Sequence, residues 1–251
     1  MTQAGLGALG FLTRLPVGTD LRAWEAFRRT PATFVPVGYL VGAVAALPFF
    51  LPLPTATLAI AFPVLLVALT GINHADGVAD VGDAAVVHSQ GEDEIAARRR
   101  VLKDSAVGVG GTLALALVVA GLVVAGAALA GIPPVAALAV VVAAEVSAKF
   151  GMALLACLAS APADGLGAQL TQASGDRDLL LPALLALPAA FLGVPSPAAA
   201  VALLTGVLTV LALRGWADRN LGGVNGDVFG AANELARVVA LHAGVIAWTL
   251  F

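Results

Sequence analysis

From Thr30 to Asn73 the chain runs for 44 residues without a charged side chain. Two further runs, Ser105 to Ala144 and Leu179 to Leu213, are equally free of charge. A soluble domain has roughly a quarter of its residues charged; here charged residues are 12% of 251, hydrophobic residues 60%, and the mean hydropathy is +0.97. Runs of this kind do not suit a water-soluble fold, whereas helices of about 20 apolar residues cross a bilayer core. The expected fold is all-α, a polytopic integral membrane helix bundle. It is read as one domain over residues 1–251, because the runs follow one another too closely for an inserted soluble domain.

Proline and glycine divide the runs. Pro48, Pro52 and Pro54 break the first, Gly131-Ile-Pro-Pro134 the second and Gly193-Val-Pro-Ser-Pro197 the third. Spans are expected near 33–51, 56–73, 107–130 and 134–158, with two shorter ones inside 179–213 and a last one near 229–250, about seven in all. Residues 1–13 are apolar but too short to cross, which suits an interfacial or re-entrant helix. The start, Met1-Thr-Gln-Ala-Gly, lacks the basic region of a cleavable signal, so a mature N-terminus is expected. The single cysteine, Cys157, excludes an internal disulfide and a cysteine zinc cluster.

Orientation follows Lys and Arg in short connections. The three Pro/Gly turns contain no charge, whereas Arg14, Arg22, Arg28, Arg29, Arg98, Arg99, Arg100, Lys103, Arg177, Arg214 and Arg219 all fall in the alternate connections. That side is expected to be cytoplasmic in a plasma-membrane protein. Asp76, Asp80, Asp83, Asp104, Asp164, Asp218 and Asp227 lie on the same side, at or beyond helix ends, so the expected active site faces the cytoplasm.

The chemistry concentrates in three places. In His74-Ala-Asp76-Gly-Val-Ala-Asp80-Val-Gly-Asp83 the carboxylates recur at i, i+4 and i+7, one face of a helix. Hard oxygen ligands on one face suit Mg²⁺, which completes its octahedron with waters and substrate phosphate oxygens; the bland alternative is a solvated helix start with acids at its dipole. His74 is as readily an interfacial histidine as a ligand or base. In Lys103-Asp104-Ser105, ahead of glycines 108, 110 and 111, Lys103 suits phosphate, Asp104 suits metal and Ser105 suits a helix cap with amides free for an anion. An ordinary snorkelling lysine is the rival reading. The loop Leu221-Gly222-Gly223-Val-Asn225-Gly226-Asp227 lets backbone approach phosphate closely, or is simply a flexible turn. Glu234 weighs against the flexible turn, because an acid inside a span is costly. Glu145 and Lys149, four residues apart in the fourth span, read as a structural ion pair or a substrate contact.

Phe11-Leu-Thr-Arg14-Leu-Pro16, His74-x-Asp-Gly-x-Ala-Asp-x-x-Asp83, Lys103-Asp-Ser-x-x-Gly108 and Leu221-Gly-Gly-x-x-Gly-Asp-x-x-Gly-Ala231 resemble, in order and spacing, the motifs of the cobalamin synthase (adenosylcobinamide-GDP ribazoletransferase) family. The resemblance runs from about residue 5 to 240. The chain departs from the family pattern at Arg100-Val-Leu, where Glu-Ile-Met is usual, and at Asn225, where Thr is usual. The resemblance implies a Mg²⁺-dependent reaction. The 5′-hydroxyl of α-ribazole, or of its 5′-phosphate, attacks the cobinamide-linked phosphorus of adenosylcobinamide-GDP and expels GMP. It implies Asp76, Asp80 and Asp83 as the main metal ligands, Asp104 and Asp227 as second-site ligands, and Asp83 or His74 as base. Lys103, Arg14, Ser105, Gly222, Gly223 and Gly226 are the expected phosphate and substrate contacts. The expected partners are the two substrates and membrane lipids, with no nucleic acid and with homo-oligomerisation left open.

Two other classes compete. A Mg²⁺-dependent phosphotransferase of the CDP-alcohol type also sets spaced aspartates at a cytosolic helix end. A transporter would show paired halves and midplane charges, and no internal repeat is visible. The alternation of charge makes one prediction: after Cys157→Ala, single cysteines at Ser89 and Ile132 label from opposite sides of the membrane. Labelling from one side overturns the arrangement.

Overall fold

The structure is a computed structural model that describes all residues except Met1, Thr19, residues 89–92 and Ser105. Ser105, an expected substrate contact, and Ser89, a labelling position, therefore lie outside the described residues. Among the described residues all regular structure is helical: α1 (Gln3–Leu12), α2 (Leu21–Arg28), α3 (Phe34–Ala45), α4 (Thr55–Thr70), α5 (Asn73–Ala85), α6 (Glu94–Val101), α7 (Val109–Leu129), α8 (Pro134–Leu158), α9 (Leu166–Thr171), α10 (Leu180–Ala186), α11 (Ala198–Asn220) and α12 (Gly226–Leu250), with short 3₁₀ segments between.

Four stretches are long and apolar enough to cross a membrane: residues 31–50, which contain α3, then α7, α8 and α11. A fifth arises if α4 and α5, bent by 101° at their junction, are taken together. The expected count of seven is not reproduced by length and composition. The helix α12 is 25 residues long, but Glu234 and Arg237 lower its hydropathy. The expected first short span of the third run is broken into α10 and the 3₁₀ segment Leu187–Phe191. That broken segment runs antiparallel to α8, with Ala186 and Ala189 packed near Val142 and Val146 and Gly193 close to Ala139.

The helix α8 is the hub. Nearly all of its residues are buried, and α3, α11 and α12 pack around it. Small residues permit this, since in lipid there is little hydrophobic drive between helices and close van der Waals contact replaces it. Gly38 and Gly42 of α3 lie against the backbone of Val142, Glu145 and Val146, and Gly206 of α11 rests on Ser147. The outer faces stay apolar and exposed, as at Leu113, Leu117 and Val124 of α7 and Leu204 and Leu208 of α11, which is the pattern of lipid-facing surface.

The chain turns sharply at Gly71, which sits at φ +76° and ends α4. After it α5 runs across the first turns of α7 and α12. Gly77 makes that crossing possible: a Cβ there would stand 2.5 Å from the backbone oxygen of Asp227. Gly82 does the same at α7, facing the backbone of Gly110 and Gly111. Overpacking such a contact costs about 1–3 kcal/mol. Gly77→Ala is therefore expected to lower unfolding stability by about that amount, measured by thermal unfolding in detergent. Gly175→Ala, where a Cβ meets open space, is the control and is expected to leave it unchanged.

Candidate active site

The crossing sets the aspartate helix against the first turns of α7 and α12, and each of the three expected carboxylates then meets a different fate. Asp83 caps α7: one of its oxygens accepts the amide of Gly108 (2.7 Å) and the other that of Gly111 (2.8 Å). The negative charge suits the dipole at that helix start. Asp76 is exposed and Asp80 half-buried, on the side of α5 that meets α12. Partial burial, then the charges of Asp227, Asp76 and Asp83, push the Asp80 carboxyl up to about 6.

Asp227 stands in the first turn of α12, beneath the glycine loop. Asn225 begins that helix: its side-chain oxygen accepts the amide of Val228 (3.0 Å), and its Nδ2 donates to Asp227 (2.7 Å). Asn is among the best helix caps, so the departure from Thr at this position keeps the cap and adds a hold on the carboxylate. The loop before it needs glycine at Gly223, where φ is +136° and a Cβ would collide with the carbonyl of Ser160. The amide of Val224 donates to that same carbonyl (2.8 Å).

An open cavity of about 500 Å³ lies between α6, the 162–167 segment and this loop. Lys103, Gly223, Gly226 and Asp227 line it, as expected from the motifs. Asn73, Arg99, Asp164 and Asn225 line it too. Of these, Asn73 and Arg99 are additions that sequence reasoning missed as site residues, and Arg99 is the one held in place by a side-chain bond. Its Nε donates to the carbonyl of Leu221 (2.7 Å), and its guanidinium lies against Gly222, so a residue from a charge run is pinned across the glycine loop. Only the fold brings α6 to that loop, 122 positions away in sequence.

Other expected residues fall elsewhere. Asp104 turns away from the cavity, accepts the amide of Ala106 (3.1 Å) and lines a shallower hollow with Asp83. Arg14 is exposed and its side chain lies over Gly71 at the bend. His74 is buried behind α5, against Gly230 of α12, and does not line the cavity. Glu145 and Lys149 form part of a buried charge cluster with Asn233, Glu234 and Arg237.

Among the described residues no three His, Cys, Asp or Glu side chains already enclose a metal position. The donor set nonetheless fits a hard cation. Asp76, Asp80 and Asp227 are carboxylates near enough to repel one another, and magnesium accepts one or two carboxylates with waters and phosphate oxygens in the remaining places. Burial and repulsion together at Asp80 give a test. A carboxyl with its folded value raised from 3.8 to about 6 makes the metal-free protein lose stability as pH climbs from roughly 4 to 6, with little change above. Asp80→Asn is expected to remove that decline in thermal melts taken with chelator; an unaltered profile discards the raised Asp80 carboxyl.

The family model of cobalamin-5-phosphate synthase matches residues 4–245. An adenosylcobinamide-GDP ribazoletransferase of Halorubrum lacusprofundi is 55% identical, over 98% of this chain and 97% of the relative. A Haloquadratum walsbyi protein of the same name is 47% identical over 97% of each chain. A bacterial relative of that name, from Ralstonia nicotianae, is 33% identical over 96% of this chain and 94% of its own. No solved structure matches the chain.

Proposed function

The chain belongs to the cobalamin-5-phosphate synthase family, and on that premise we propose that it joins adenosylcobinamide-GDP to α-ribazole or its 5′-phosphate, releasing GMP. The observation that carries the reading is the cavity, where Lys103 and Arg99 stand over a glycine loop that begins at Leu221 and ends on Asp227. A diphosphate is bound by such a set: a point charge, a planar guanidinium and backbone free of side chains. Displacement at phosphorus requires neutralised charge and in-line placement far more than covalent chemistry.

The roles follow from position. Lys103 and Arg99 hold non-bridging oxygens of the diphosphate, and Gly223 and Gly226 let the backbone close on it. Asp164 is the cavity carboxylate left in place to take the proton of the attacking hydroxyl. The new bond joins that oxygen to the cobinamide-side phosphorus, and the bond that breaks sends GMP away with the electron pair. Asp76, Asp80 and Asp227 are the residues that would hold magnesium, which supplies charge neutralisation to the departing phosphate. Asp83 keeps α7 under the site rather than acting as a base, because both its oxygens already accept amides. The long apolar helices and the charge-free turns support our reading that the protein sits in the cell membrane with this face toward the cytoplasm.

The relatives' names support this substrate pair over a lipid head-group donor, which the aspartate helix alone would serve equally. Purified protein is expected to convert adenosylcobinamide-GDP to a cobalamin product and GMP, dependent on Mg²⁺ and on α-ribazole or its 5′-phosphate. Lys103→Ala and Asp80→Asn are each expected to lower kcat about 100-fold or more, since lost electrostatic stabilisation costs several kcal/mol. CDP-activated lipids with inositol, glycerol phosphate or serine are expected to give nothing. Lipid product without corrinoid turnover reverses the assignment.

A further inference from the structure

Behind the aspartate helix lies a charge cluster that the reaction above does not use. Arg237 of α12 donates to Glu145 of α8 and to both oxygens of Glu234 (2.6 Å each), and Lys149 of α8 donates to Asn233. Asn233 Nδ2 donates in turn to Glu234 (3.0 Å). Glu145, Lys149 and Arg237 are at most 1% exposed. Two acids and two bases balance, so no net charge is left to attract a ligand. Stability does not explain the set either, since apolar residues of similar volume often replace a buried ion pair at no loss. Ionisable groups inside a membrane bundle are costly and as a rule serve function.

The cluster is connected to the site by geometry. Glu234 lies seven residues after Asp227 on α12, hence on the same face and two turns deeper. Between them is Gly230, on which the backbone of His74 rests: a Cβ at Gly230 would be 3.1 Å from the His74 Cα. His74 opens α5 two residues ahead of Asp76. Its Nδ1 is buried without a hydrogen-bond partner and faces Glu234 Oε1 at 3.9 Å. A shift of about 1 Å completes that bond.

We propose that the buried cluster positions the aspartate helix, with Glu234 and His74 as positioning residues that keep Asp76 and Asp80 in register with Asp227. The inference rests on the reading of those aspartates as the cation-holding set. Arg237 fixes Glu234 against α8, Glu234 takes the Nδ1 proton donor of His74, and His74 sets where α5 begins. Outer-shell partners of this kind typically change metal affinity or activity by about 10–100-fold when removed.

The test uses the full-length protein in lipid nanodiscs, with Mn²⁺ as an electron paramagnetic resonance probe in the absence of substrate. Thermal melting and steady-state kinetics are measured beside it. Glu234→Gln and His74→Phe are expected to weaken Mn²⁺ binding about tenfold or more and to lower kcat similarly, with substrate KM little changed. His74→Asn, which retains an N–H donor at the position of Nδ1, is expected to recover most of both. The proposal is overturned if His74→Phe, which fills the volume without a donor, binds Mn²⁺ and turns over like wild type. It is equally overturned if both variants lose activity only in proportion to unfolded protein, with Mn²⁺ affinity per folded molecule unchanged. Wild type that binds Mn²⁺ but forms no corrinoid product would refute the substrate reading alone, and the Mn²⁺ comparison would still decide the positioning.

Discussion

The bond between Arg237 and its two acids, Glu145 on α8 and Glu234 on α12, is the constraint on which the arrangement of this bundle turns. An unpaired charge among apolar helices is expensive, and pairing it requires the two helices to meet at one register. Once α8 and α12 are locked at that height, the first turn of α12 has a fixed place at the end of the bundle. Asp227, the cap at Asn225 and the glycine loop are carried there with it.

The second consequence concerns α5. A polar helix with three aspartates cannot continue into the bilayer after α4, and the chain bends by 101° so that it lies across the ends of its neighbours. Glycine at 77 brings α5 to backbone contact with α12, as glycine at 82 does with α7, so carboxylates of α5 and α12 approach closely enough to repel. Asp83 is drawn out of that group by the free amides of α7 and becomes a cap. The acids of one motif therefore divide: Asp83 holds the scaffold, while Asp76 and Asp80 stay on the side of Asp227.

Much of this was legible in the chain. The charge-free runs gave the helical membrane class, and the i, i+4, i+7 spacing gave the shared face of α5. The number of crossings was less legible. Residues 180–191 are apolar enough for a span, yet Pro182 and Pro188 interrupt regular helix and the segment closes as two short pieces against α8. Glu145 and Lys149 read equally well as an ion pair or a substrate contact, because their other partners are 84 and 92 positions away. Arg99 was one of three adjacent arginines with nothing local to distinguish it.

The sequence by itself determined the solvent this protein folds in and the residue types its chemistry can use, because hydropathy and periodicity are local properties of the chain. Only the tertiary structure decided which of those residues share a site. Lys103, Asp227 and Arg99 line one cavity, Asp104 and Asp83 another, and His74 neither. The physical reason is that such membership depends on where separate helices cross, and the crossings are set by backbone contact at glycine and by charge pairs far apart in sequence.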